Sequence, residues 1–216
     1  MKREAFAMRI KPGRKDEFKR RCTRLGFELP LVLEDWDMRN FSVWCVEDLV
    51  FGYGETCDGK EAGKDESALI AYFLENMRDC CDCLARPASN PMRLMYEDIG
   101  IVREDKSVIR HRVFATRLKP GCTEEYKRRH DELIASRGGR INPGPESNFT
   151  IWNTVDYIIG YCELDKTMEH EPTKEEMQGK IKWETRMLEI MNWITDDVDW
   201  LTGLKHDKFE LMLQKM

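Results

Sequence analysis

The sequence predicts an α+β protein made of two tandem copies of one domain, and three observations predict it. FAMRIKPGRKDEFKRRC, from Phe6, aligns without gaps on FATRLKPGCTEEYKRRH, from Phe114, with ten of seventeen positions identical. The same offset (114 − 6 = 148 − 40 = 108) aligns NFSVWCVEDLVFGYGE, from Asn40, on NFTIWNTVDYIIGYCE, from Asn148. Third, strand-like and helix-like stretches alternate within each copy, and 216 residues suffice for two domains of about 100 residues that each bury a core. A period of 108 is too long for a stacked solenoid repeat, so each copy is expected to be a whole domain, residues 1–106 and 107–216.

The elements of the first copy follow in order. AFAMRI reads as a short strand and KPG as the turn out of it. From Arg14 a charged helix places Phe18, Cys22 and Leu25 on one face, because they are spaced three or four apart. FSVWCV and LVFGYGE flank the turn-like Glu47 and Asp48, which predicts a hairpin. A long helix is expected from about Asp65 to Leu84; RPASNP breaks it and MRLMYEDIGIV supplies a final strand. Strand, helix, strand, strand, helix, strand is the split β-α-β arrangement of the ferredoxin-like fold. Such a sheet carries helices on one side only, so its other face needs cover. Two copies in one chain are expected to cover each other sheet to sheet, as a pseudo-dimer that is an intramolecular version of a dimeric α+β barrel. The linker REDKSVIRHR is charged enough to run over the surface.

Composition narrows the function classes. Charged residues make up 35% with a formal net charge of −5, so both signs are interspersed and an extended phosphate-binding face is not expected; no nucleic-acid partner follows. The sequence holds no run of about 18 apolar residues, and MKREAFAMRIKPG interrupts any signal-like stretch with charges, so a soluble, cytoplasmic protein without a membrane partner is expected. In a reducing compartment the eight cysteines stay as thiols. The cluster Cys80, Cys81 and Cys83 has no second pair at zinc-finger distance and reads as small, partly buried residues of the long helix rather than as a metal site. His111 opens a strand, and His170 and His206 lie in polar stretches, as solvated side chains do.

The helix motif is where proton chemistry concentrates. EYKRRH at 125–130 has the counterpart EFKRRC at 17–22, in which Phe18 replaces Tyr126 and Cys22 replaces His130. Tyr126 and His130 are four apart and therefore share a helix face, from which they either pack locally or point together into a pocket. An unperturbed imidazole gives and takes protons near neutral pH. A thiol titrates about two units higher, and higher still when buried. The second copy thus carries acid-base equipment that the first lacks. Arg128 and Arg129 read as solvated or paired with the abundant carboxylates.

These residues resemble the L-rhamnose mutarotases, normally single domains of about this repeat length that form dimers. Glu125, Tyr126, Arg128, Arg129 and His130 reproduce the family's first-helix motif. Asn148 and Phe149 resemble its Asn-Tyr pair without the phenol hydroxyl, and Trp183 with Glu184 takes the place of two adjacent tryptophans. Glu28 and Leu29 resemble its Pro-Glu-Leu segment in the first copy, where the second reads IASRGGR.

The resemblance implies an isomerase that interconverts the α and β anomers of L-rhamnose or a related deoxysugar such as L-fucose, needing neither cofactor nor metal. His130 is then the proton donor, Tyr126 positions a sugar hydroxyl or the ring oxygen, and Phe149, Trp183 and Glu184 contact the monosaccharide. Phe73 stands near the Trp183 position in the first copy, whose site reads as stripped. A non-catalytic sugar-binding or assembly module that keeps the fold is the alternative, and another dimeric-barrel enzyme, such as a small oxygenase, is a third.

Overall fold

The structure is a computed structural model that describes residues 2–32, 38–56, 65–141, 143–195 and 206–215. The chain forms two compact units, Met1–Met92 with Phe209–Met216, and Arg93–Lys208. Each holds one five-stranded antiparallel sheet and two helices. Among the described residues no helix is long and apolar enough to cross a membrane.

In the first unit β1 (Lys2–Ile10) leads into α1 (Lys15–Val32), β2 (Met38–Val46), β3 (Leu49–Thr56), α2 (Ala68–Met77) and β4 (Cys81–Ala85). Helix α1 buries Phe18, Cys22, Leu25 and Leu29, a stripe at helical spacing, and has Asp16 and Glu17 in its first turn, where the helix dipole favours anions. Helix α2 starts at Ser67, whose hydroxyl accepts from the Ile70 amide at 3.1 Å, and buries Leu69, Ile70, Phe73, Leu74 and Met77. It does not run on to Leu84 as the apolar spacing predicts. After Met77 the chain turns, with the Cys80 amide donating to the Met77 carbonyl at 3.0 Å. The Lys11 ammonium donates to the Arg78 carbonyl at 2.9 Å and so satisfies an acceptor past the end of α2. Cys81–Ala85 then adds to the edge of β1 as β4, and this ladder overrides the helical periodicity. The cysteine cluster therefore lies on a turn and a strand, with Cys80 and Cys81 buried and Cys83 exposed. Among the described residues no three metal-ligating side chains converge on one point.

The second unit repeats the plan. A single 3-10 turn, Lys106–Val108, occupies the expected linker, and β6 (Ile109–Leu118) begins within it. Helix α3 (Thr123–Arg137), β7 (Glu146–Thr154), β8 (Tyr157–Asp165), α4 (Lys174–Leu188) and β9 (Met191–Thr195) follow. Helix α3 ends at Gly138 with φ 58, a left-handed C-cap. A Thr173–Glu176 capping box starts α4. Lys119 donates to the Leu188 carbonyl at 2.8 Å, as Lys11 does to Arg78, so the lysine of each KPG turn secures the end of its unit's second helix.

Within the first sheet the strand order β2-β3-β1-β4, and within the second β7-β8-β6-β9, is that of the split β-α-β unit. Each sheet gains a fifth strand: β10 (Glu210–Lys215), from the end of the second sequence copy, pairs with β2, and β5 (Arg93–Gly100), from the end of the first, pairs with β7. The final strand expected at MRLMYEDIGIV thus exists, but β4 closes its own repeat's sheet and β5 enters the other.

Recurrent details hold the two sheets in one geometry. Asn40 and Asn148 have φ of 50 and 53 at matching bulges, and their amides donate to the buried carboxylates of Glu55 and Glu163, at 3.0 and 3.4 Å. Gly52 and Gly160 lie beneath the Phe6 and Phe114 rings, where a Cβ would stand 2.0 and 2.2 Å from ring carbon.

Candidate active site

Helix α3 carries the site. Its solvent side is laced by ion pairs: Glu125 accepts from Arg128 at 2.7 Å and from Arg129 at 2.6 Å, and these two guanidinium groups hold its carboxyl down at about 2. Arg128 also pairs with Glu132, and Arg129 reaches Glu189 at 2.9 Å past the end of α4. Both arginines are thereby committed to carboxylates.

Its inner side carries Tyr126 and His130, both buried. The His130 Nδ1 lies 3.0 Å from the Tyr126 carbonyl oxygen, one turn back. A carbonyl oxygen only accepts, so Nδ1 holds the proton and the neutral ring leaves its lone pair on Nε2. Burial pulls the imidazole down to about 4, against the smaller upward pull of that hydrogen bond, so His130 is neutral at pH 7. Burial likewise pushes the Tyr126 phenol up, and it remains a protonated hydroxyl.

Aromatic rings surround the imidazole. Tyr126 stacks on it at 4.4 Å between centroids, Trp183 of α4 stands perpendicular at 5.2 Å, and Tyr96 of β5 presents an edge at 5.3 Å. Tyr96 also meets Phe149 of β7 at 5.2 Å, and Phe149 meets Phe114 of β6 at 6.2 Å. Phe114 lies 6.0 Å from Trp193 of β9, whose indole nitrogen donates to the buried Glu184 carboxylate at 2.6 Å. The contacts thus run from His130 around the space between sheet and helices and back to the neighbour of Trp183.

Of the five residues singled out from sequence, the structure brings Tyr126, His130 and Trp183 into direct ring contact. Phe149 joins through Tyr96, and Glu184 through Trp193. Tyr96 and Trp193 were not foreseen. Trp193 had a signal in the second copy's MNWIT against CDCLA of the first; Tyr96 had none, because it sits on the strand donated by the other repeat.

The pairing registers identify the counterparts in the first unit. Met8 faces Cys83 as Thr116 faces Trp193, so Cys83 stands at the Trp193 position, and at the same spacing (193 − 83 = 183 − 73 = 110) Phe73 answers Trp183 and Leu74 answers Glu184. Leu213 faces Val43 as Tyr96 faces Ile151, so Leu213 answers Tyr96. With Phe18 and Cys22, every hydrogen-bonding group of the second site has a counterpart that is apolar or a thiol. Burial pushes the Cys22 thiol up to about 12, which keeps it protonated.

The second unit is therefore an α+β module that encloses a neutral imidazole in an aromatic cage. Residues 111–209, in the second half of the chain, match the family model described as L-rhamnose mutarotase. The L-rhamnose mutarotase of Phocaeicola vulgatus is 27% identical over 103 residues, which is 46% of this chain and 96% of the relative. Among solved structures, a provisionally assigned monooxygenase from Fusobacterium nucleatum covers 99% of this chain and 93% of its own, with TM-score 0.47 and 9% identity. An anthrone oxidase-like protein covers 82% and 76%, with TM-score 0.32 and 10% identity. Likenesses this distant carry no argument about function.

Proposed function

We propose that the second unit is an aldose mutarotase that exchanges the anomers of L-rhamnose or a related deoxysugar such as L-fucose. The observation that carries this reading is the fixed tautomer of His130, whose Nδ1–H is committed to the Tyr126 carbonyl and whose Nε2 keeps its lone pair at neutral pH. Nε2 takes the proton of the anomeric hydroxyl as the bond from the anomeric carbon to the ring oxygen breaks, giving the open aldehyde. The imidazolium then donates that proton to the ring oxygen, so His130 is proton donor in the second half of the opening. Rotation about the bond next to the aldehyde, followed by the reverse steps, closes the other anomer. No atom or electron is gained or lost.

Tyr126 keeps its phenol proton and orients a sugar oxygen. Trp183 and Phe149 offer ring faces to the C–H side of the sugar, and Glu184 accepts from a sugar hydroxyl. The pairing of two ferredoxin-like repeats, 1–106 and 107–216, belongs to the same proposal. The recurrence of one strand order in both sheets supports it, and a crystal structure with another order in either repeat would reject it.

Saturation-transfer NMR on a panel of sugars tests the function. His130→Ala is expected to slow anomer exchange by on the order of a hundredfold or more, the scale of a lost general acid-base group. Undiminished exchange in a folded His130→Ala protein rules the mechanism out, and sugar binding without any exchange in the wild type supports the non-catalytic module instead.

A further inference from the structure

Helix α3 packs along β5, the edge strand that comes from the end of the first sequence repeat. Two ion pairs join them. Near the start of the helix Arg93 Nη2 donates to Glu124 at 3.0 Å; both side chains are exposed, so solvent screens the pair. At the other end Arg137, in the last turn of α3, pairs with Asp98 in a half-buried setting. Asp98 also accepts a long hydrogen bond from the Tyr96 hydroxyl, at 3.4 Å, and the Arg137 guanidinium lies 5.9 Å from the centre of the Tyr96 ring. Tyr96 is thus tied at its hydroxyl end to the end of the helix that carries His130, while its ring edge stands against the imidazole at 5.3 Å and 65°.

The imidazole needs that wall. Its hydrogen bond through Nδ1 holds one edge of the ring, and the torsion about the bond to an sp² ring is broad. What confines the tilt is contact with three rings. Tyr126 stacks from α3 and Trp183 abuts from α4; Tyr96 is the wall that the sheet supplies. In the first unit, where Cys22 has no orientation to keep, the corresponding residue is Leu213.

Resting on the mutarotase reading, we infer that Tyr96 is a positioning residue that holds the His130 ring with Nε2 toward the substrate, so that the first repeat supplies a wall of the second repeat's site. The copy without acid-base groups then has a task besides its own fold, which is to donate β5.

The test uses the full chain with Tyr96→Leu, which installs the first unit's residue, and Tyr96→Phe, which keeps the ring. Two readouts are taken: kcat and KM for anomer exchange, and the ¹⁵N spectrum of His130 at neutral pH. Leu is expected to lower kcat by on the order of tenfold, as small misplacements of a reacting group do, with KM within about twofold, and to broaden or shift the Nδ1–H tautomer signals. Phe is expected to rescue most of both. Should Leu destabilise the fold, Asp98→Asn, at a half-buried site outside the core, is expected to lower kcat about twofold to fivefold in the same direction. A Leu variant with wild-type kcat and spectrum overturns the inference, and so does a Phe variant as impaired as Leu. If the wild type exchanges no sugar, the mutarotase reading falls, and the His130 spectrum alone still decides whether Tyr96 positions the ring.

Discussion

The two units share a strand order, a bulge carrying a left-handed asparagine and a glycine beneath a phenylalanine, and they differ in what fills the space between sheet and helices. In the first unit Phe6, Phe41 and Phe73 meet one another at centroid distances of 5.5 to 6.3 Å, and Phe18, Cys22, Leu74 and Leu213 complete an apolar core. In the second, the same positions bring two phenols, an imidazole, a carboxylate and an indole, and Trp193 at the Cys83 position adds a second indole. Groups retained in both units serve the backbone, as Asn40 and Asn148 or Lys11 and Lys119 do. The polar groups that only the second unit has at these core positions cap no helix end and join no strand ladder. That division separates what the fold requires from what a reaction would require, without reference to any other protein.

The largest expected effect sharpens the first half of the comparison. If the first unit is a packed scaffold, Phe73→Ala, which empties the centre of its ring cluster, should destabilise the protein by about 3–5 kcal/mol in urea unfolding. Trp183→Ala, at the half-buried equivalent, should cost less than half of that while impairing exchange more. A Phe73→Ala protein within about 1 kcal/mol of wild type would contradict the scaffold assignment.

Next comes pH. The ordinary imidazole value is 6.5 and that of buried His130 is about 4, so the unfolded chain binds the proton first. The stability that His130 contributes as a neutral group is complete above pH 6.5 and is lost as pH falls toward 4. The shift corresponds to on the order of 3 kcal/mol. Unfolding midpoints measured from pH 7 down to 4 should fall less for His130→Ala than for wild type. The first unit has no matching component, because the Cys22 thiol, at about 12, does not titrate there. Exchange by wild type should stay level to about pH 5 and drop as Nε2 is protonated near 4; a drop centred near 6.5 would mean a solvated imidazole and no cage.

Much of this comparison was legible beforehand, and the reasons divide cleanly. The repeat, the Tyr126–His130 helix face and the hairpin around Glu47 and Asp48 depend on local spacing. The structure adds that Glu47, and Val155 in the second unit's β7–β8 turn, take φ of 51 and 54. What escaped is non-local. The segment Cys81–Ala85 has helical spacing in isolation and becomes a strand because β1 offers an unpaired edge. MRLMYEDIGIV was recognised as a strand, but nothing within eleven residues states which of two similar sheets it joins. Tyr96 was missed with it, and the Trp193–Glu184 bond escaped because it links a strand to a helix nine positions away.

The smallest expected effect tests the asymmetry most directly. Cys22→Ala should leave anomer exchange unchanged, because a thiol held at about 12 by burial offers neither a base nor a ready acid at neutral pH. Restoring the motif with Phe18→Tyr and Cys22→His should not double the rate either. Phe73, Leu74 and Leu213 would still stand where the second unit has Trp183, Glu184 and Tyr96, and the new polar groups would be buried without partners at about 1–3 kcal/mol each. The informative background is His130→Ala, in which any surviving exchange comes from the first unit or from an unforeseen group. If adding Cys22→Ala to that background removed a substantial remaining activity, the thiol would be reactive despite its burial, and the first unit would have to be counted as a second site rather than as the donor of one strand.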